Sequence, residues 1–108
     1  MSSVVVLVWF RADPARNSEC LQALHALAAR IEARFGVRGR FGWRDEPEKN
    51  RRTWLESWEP LAAGQEGGFV EALEAEAASL GFGALAPGGR FVDVFHWADA
   101  AKDLPRCA

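Results

Sequence analysis

A run of β-branched and aliphatic residues near the N-terminus constrains the fold most strongly. Val4 to Phe10 is apolar at every position, and Arg11 follows directly. A strand that is apolar on both of its faces is normally covered on both, so this segment predicts a central strand of a sheet. The run is too short for a membrane-spanning helix, and no basic segment precedes it as in a signal peptide. We therefore expect a soluble cytoplasmic protein.

Two amphipathic helices are predicted after this strand. Asp13-Pro14 is a typical helix start, and Gly36 a typical helix end. Between them, apolar residues recur at intervals of three and four: Leu21, Leu24, Ala28, Ile31 and Phe35. A second set precedes Gly81 with the same spacing: Phe69, Val70, Leu73, Ala77 and Leu80. Three more strands are predicted over residues 38–45, 51–59 and 90–97.

The resulting order, β-α-β-β-α-β, predicts a ferredoxin-like α+β fold. Its four strands form one antiparallel sheet, and both helices lie on one face because the two crossovers have the same hand. A chain of 108 residues fits one domain, which we place at residues 1–98, with 99–108 as a C-terminal tail. The second face of the sheet, here called the open face, then has nothing in this chain to cover it.

The residues of the open face are predicted from the alternation of side chains along the strands. Because a carboxylate inside an apolar core needs a partner or a shifted pKa, the sets containing Glu56 and Asp93 are assigned to the open face and the valine sets to the helices. The open face would then carry six large aromatic residues: Trp9, Trp54, Trp58, Phe91, Phe95 and Trp97. Soluble monomers rarely expose so large an apolar patch, so we expect a second copy or a small apolar or aromatic molecule to cover it.

Two strand sequences carry a resemblance to a known group of proteins. The third strand has Thr-Trp-Leu-Glu-Ser-Trp-Glu over 53–59, and the fourth has Arg-Phe-Val-Asp-Val-Phe over 90–95. With these stretches the chain resembles the dimeric α/β-barrel superfamily, which includes the antibiotic-biosynthesis monooxygenases and small stress-responsive barrel proteins. It is most similar to a family of uncharacterised small bacterial proteins with a Thr-Trp-x-Glu stretch on the third strand. The resemblance covers Val4 to Trp97 and implies a homodimer whose two sheets form a barrel.

The candidate catalytic groups are the polar residues near the aromatic patch. Glu56 and Asp93 could act as a general acid and base, with Arg11 and His96 beside them. Alternatively, each carboxylate pairs with an arginine, either Arg11, Arg40, Arg44 or Arg90. The family resemblance does not extend to activity, because the second helix lacks the histidine of haem-degrading members and the chain has no tyrosine.

Composition excludes several other function classes. A net charge of −2 gives no electrostatic reason for a nucleic-acid or membrane partner. Cys20 and Cys107 lack metal-ligand spacing and are expected to be free thiols, and we expect no metal and no cofactor. The sequence therefore predicts a homodimer with an aromatic-lined pocket, with a cofactor-independent monooxygenase or isomerase and a purely structural module as alternatives.

Overall fold

The computed structural model describes residues 3–98. Its strands are β1 (Ser3–Ala12), β2 (Arg38–Glu46), β3 (Arg51–Ala62) and β4 (Phe91–His96). The helices are α1 (Asn17–Phe35), α2 (Glu66–Ser79) and the short α3 (Phe82–Leu85), and single turns of 3₁₀ helix occupy Pro14–Arg16 and Pro47–Lys49. The sheet has the order β2-β3-β1-β4 with antiparallel neighbours throughout. The predicted ferredoxin-like fold is confirmed; the predicted tail and Cys107 lie outside the described residues.

The helix boundaries follow the capping residues that the sequence indicated. Asp13 accepts a hydrogen bond from the backbone N–H of Ala15, which begins the turn leading into α1. Gly36 ends α1 in the left-handed region at φ 67°, and Gly81 follows α2 at φ 85°. The helix α3 was not predicted, because four residues are too few to show a helical period. No helix within residues 3–98 is long and apolar enough to cross a membrane.

The strand β3 extends three residues beyond its predicted end, past Pro60. Between the pairs Val6–Trp58 and Val4–Leu61 the register shifts, which marks a β-bulge. A bulge accommodates proline because the unpaired residue needs no N–H donor for the ladder. The strand therefore continues through a residue that the sequence indicated as the start of a loop.

The core lies between the helices and one face of the sheet. Val4, Val6, Val8 and Phe10 of β1 are fully buried on this face, as predicted. They pack with apolar residues of α1 and α2, among them Leu24, Leu27, Ile31, Phe69 and Leu73. Cys20, a free thiol, is buried in the same core.

The predicted orientation of β3 is wrong. Trp58 pairs with Val6, Glu56 with Val8 and Trp54 with Phe10. Directly paired residues of antiparallel strands point to the same face, so the two tryptophans and the glutamate face the helices and are almost completely buried. The two indoles fill a volume that the alternative set of Thr53, Leu55 and Ser57 could not fill, and close packing of the core favours the larger set.

The open face is formed by the other set of side chains in each strand. Register places four rows of residues across it, and the central row runs Arg40, Ser57, Leu7 and Asp93. The next row runs Gly42, Leu55, Trp9 and Phe91, and the row after it has only Arg44, Thr53 and Arg11, because β4 begins at Phe91. On the other side, Phe95 lies beside Val5.

Candidate functional site

A buried charge network on the helix face contains the first candidate residue, Glu56. Its carboxylate is fully excluded from solvent and accepts two hydrogen bonds from Arg90, at 2.5 Å to Oε1 and 3.3 Å to Oε2. The indole Nε1 of Trp58 donates a third, at 3.1 Å. Arg90 also donates to Glu74 of α2 at 2.5 Å, and its guanidinium lies 5.0 Å from the ring centroid of Phe82. Arg90 thus joins β3 to α2 at the start of β4.

The electrostatics of Glu56 are those of a paired structural group. Burial raises the pKa of Glu56, while the charge of Arg90 and the hydrogen bonds from Arg90 and Trp58 act in the opposite direction. The space around the carboxylate is filled by protein, since all three of its hydrogen-bond donors are side chains of the chain itself. No substrate can reach Glu56 without disrupting this network. The predicted alternative, in which Glu56 pairs with an arginine, is confirmed for Arg90.

The predicted acid–base pair of Glu56 and Asp93 is wrong on geometric grounds. Asp93 pairs with Leu7 on the open face and is exposed, so the sheet separates it from Glu56. Arg11 also lies on the open face, whereas His96 pairs with Val4 on the helix side at the exposed end of β4. The four candidate catalytic residues are therefore divided between two faces and do not form one site.

The open face holds the other four of the predicted aromatic residues. The rings of Trp9 and Phe91 stack with their centroids 4.2 Å apart. Phe91, Phe95 and Trp97 expose 44%, 53% and 56% of their surface, which is unusual for large apolar side chains in a soluble protein. The indole Nε1 of Trp97 donates to Glu59 on β3 at 2.9 Å, so this indole crosses over β1. These residues remain candidates for a pocket or dimer face, whereas Trp54 and Trp58 belong to the core.

Two grooves lie on the open face. The first, here called the Trp9 groove, has a volume of about 640 Å³ and is lined by Trp9, Arg11, Trp43, Arg44, Thr53 and Leu55. The second, the Phe95 groove, has about 630 Å³ and is lined by residues that include Val5, Leu7, Arg40, Ser57, Phe95 and Trp97. Gly42 contributes to both. The two volumes are in the range of small-molecule sites.

Sequence reasoning missed the contribution of β2 to these grooves. The alternation in Arg38–Glu46 places Arg38, Arg40 and Arg44 on the open face, and the register with β3 confirms this placement. The alternation of side chains in β2 was visible in the sequence. Which set faces the helices was not, because neither the glycine nor the arginine positions form a clearly apolar side. Among residues 3–98, no three His, Cys, Asp or Glu side chains are grouped so that they could hold a metal ion.

No protein-family model and no curated protein matches this sequence. Among solved structures, the chain is similar to SnoaB, a cofactor-independent oxygenase from Streptomyces nogalater, at 17% identity and a TM-score of 0.58. That match covers 98% of this chain and 100% of SnoaB. A Caulobacter crescentus protein proposed to be an antibiotic biosynthesis monooxygenase matches at 18% identity and a TM-score of 0.53, over 91% of this chain and 92% of the other.

A designed protein matches about as well as the natural ones. Foldit4, designed de novo, has 13% identity and a TM-score of 0.55, over 90% of this chain and 98% of its own. A designed chain shares the fold without having been selected for an activity, so this level of similarity is informative about fold alone. The chain has a ferredoxin-like fold, and its function has to be inferred from its own residues.

Proposed function

We propose that this protein is a homodimer whose two sheets pack face to face, and that the space between them binds a small apolar or aromatic molecule. The observation that supports this proposal is the open face itself, where Trp9, Phe91, Phe95 and Trp97 line a sheet that no other part of the described chain covers. Each large aromatic side chain can bury on the order of 150–250 Å². Covering this patch would remove a substantial unfavourable contact with water.

The charges of the open face are complementary to those of a second copy. Arg40 lies at the β2 edge and Asp93 at the β4 edge of the same row. In a twofold dimer with its axis along the strands, the β2 edge of one sheet opposes the β4 edge of the other, so each Arg40 faces an Asp93. An axis across the strands through this row would instead oppose Arg40 to Arg40. In this row, charge complementarity therefore favours the axis along the strands.

The adjacent row fits the same arrangement by shape. Gly42 at the β2 edge has no side chain, and a Cβ placed on it would meet no atom within 4 Å. At the β4 edge of that row, Phe91 exposes nearly half of its surface. The axis along the strands sets Phe91 of one copy over Gly42 of the other, so a bulky side chain faces an open space. Shape and charge thus select the same orientation.

The binding role is preferred to the enzyme alternative because the predicted acid–base pair is not assembled. A cofactor-independent monooxygenase or isomerase was predicted to use Glu56 and Asp93, which lie on opposite faces of the sheet. The purely structural alternative is disfavoured by the two grooves, which lie between the sheets in the proposed dimer and provide room for a ligand.

The dimer is tested by light scattering behind a sizing column at micromolar concentration. We expect twice the chain mass of 11.9 kDa, and a clean monomer would contradict the proposal. Asp93→Arg should weaken the dimer by placing like charges together, and the double variant Asp93→Arg/Arg40→Asp should restore it. Glu48→Arg, a charge reversal in an exposed turn away from the sheet, is the matched control and should leave the mass unchanged.

A further inference from the structure

The Trp9 groove ends in a row that carries positive charge only. This row consists of Arg44, Thr53 and Arg11, and β4 contributes no residue to it. Within residues 3–98, neither arginine has a carboxylate within 4.0 Å, in contrast to Arg51 and Arg52 on the same part of β3, which are both paired. Glu46, two residues beyond Arg44 on the same face, accepts a hydrogen bond from Thr53 at 3.5 Å but is already paired with Arg51, so the described chain offsets the charges of Arg11 and Arg44 only in part.

The floor of the groove is apolar and suited to a planar ring. Trp9 is stacked on Phe91, and the guanidinium of Arg11 lies 5.1 Å from the centroid of Trp9. Leu55, which exposes 44% of its surface, lies beside Trp9 in the adjacent strand. A flat aromatic molecule could lie against Leu55 and the edge of the Trp9 indole, with its own polar edge directed at the two arginines.

The proposed dimer increases this charge. A twofold axis along the strands brings the corresponding row of the second copy to the same mouth of the barrel, so four guanidinium groups surround one opening. Like charges in a partly desolvated space repel one another, and an anion placed among them removes that repulsion. Arginine also binds carboxylates through two parallel hydrogen bonds, which fixes the orientation of a planar acid.

We infer that the Trp9 groove binds a planar aromatic molecule carrying a carboxylate, with its ring against Trp9 and its carboxylate between Arg11 and Arg44. This inference rests on the proposed function, since the groove becomes an enclosed site only when the second sheet covers it. It goes further by assigning both the ligand class and the residues that select it.

The test compares two probes of equal size, 2-naphthoate and the neutral 2-naphthalenemethanol, by quenching of tryptophan fluorescence. We expect the carboxylate to bind about tenfold or more tightly, because hydrogen bonds to charged groups are stronger than those to neutral ones. Arg11→Gln and Arg44→Gln should each lower the affinity for 2-naphthoate by about tenfold and leave that for the alcohol nearly unchanged. Arg38→Gln is the control, since Arg38 is on the same face but lines neither groove.

The outcomes separate this inference from the proposed function. Equal affinity for the two probes, or equal losses in the Arg38 control, would overturn the inference while the proposed ligand pocket stands. If neither probe binds a protein that the sizing column shows to be dimeric, both the inference and the ligand part of the proposed function are wrong. A monomer by light scattering would contradict the dimer itself, whatever the probes do.

Discussion

The two faces of the sheet carry the same kinds of side chains in very different surroundings. On the helix face, Glu56 lies among tryptophans and is neutralised by Arg90. On the open face, Asp93 lies in the same row as Arg40, with exposed aromatic rings on either side along its strand. A carboxylate among aromatic residues therefore does not identify a functional site by itself. The two faces differ in whether the chain itself supplies an ion-pair partner for the carboxylate and side chains that bury it.

The largest expected effect comes from breaking the ion pair on the covered face. Arg90→Met leaves Glu56 buried without its counter-charge, which should reduce the free energy of unfolding by about 3–5 kcal/mol. The double variant Glu56→Met/Arg90→Met should lose much less, because it removes both charges. Urea unfolding of the three proteins measures both values, and equal losses in the single and double variants would show that the pair is not coupled.

A smaller effect is expected from adding a methyl group to the helix face of β2, compared with adding one to its open face. In Gly39→Ala the new Cβ would lie 2.6 Å from Cζ3 of Trp58, so we expect a loss of about 1–3 kcal/mol from overpacking. Both variants are made in the Asp93→Arg background, where the proposed dimer is weakened; there Gly42→Ala is the matched control, since its Cβ meets nothing within 4 Å in the single chain. Thermal unfolding of both variants would show a difference in midpoint, and similar midpoints would contradict the assigned orientation of β2.

The smallest effect is a pH trend that separates buried from exposed carboxylates. Burial raises the folded-state pKa of Glu56 above its ordinary 4.5, so its contribution to stability is present below that pH and is lost as the pH rises through the folded pKa. The difference in unfolding free energy between the parent and Glu56→Gln should therefore fall with rising pH, by at most about 1.4 kcal/mol per unit.

The opposite trend is expected for Glu46. A hydrogen bond from Arg51 holds the pKa of Glu46 below its ordinary value, so its stabilisation is lost as the pH falls. The difference between the parent and Glu46→Gln should increase with rising pH. Denaturant unfolding between pH 4 and 8 would measure both differences, and trends of the same sign would contradict the contrast between these two carboxylates.

Local sequence patterns were sufficient to predict the fold and the orientation of two of the four strands. The valine run indicated the orientation of β1 correctly, and the carboxylate of Asp93 indicated that of β4. In β3 both sets are mixed, and the desolvation cost of Glu56 indicated the wrong face. That cost is offset by the ion pair with Arg90 and by the packing of the two indoles on either side of the carboxylate.

Neither the buried ion pair nor the grooves could be predicted from local sequence pattern, because both depend on which residues of different strands are paired. Glu56 and Arg90 are separated by 34 positions in the chain, and nothing in the sequence near either residue indicates the other. The row of Arg44, Thr53 and Arg11 likewise combines three strands whose alignment is determined by the bulge and the hairpin rather than by composition. The predicted strands therefore placed each candidate residue on or next to the correct element. The pairing of the strands determines which of these residues are in contact.

The position of Arg90 has a consequence for how the domain opens. Its guanidinium contacts β3 through Glu56 and α2 through Glu74, so separating either element exposes an unpaired charge that was buried. Partial unfolding of α2 or β4 alone is therefore disfavoured, and the two elements should exchange their amide hydrogens in a single cooperative event. One side chain in a loop thus couples the stability of an edge strand to that of a helix on the far side of the core.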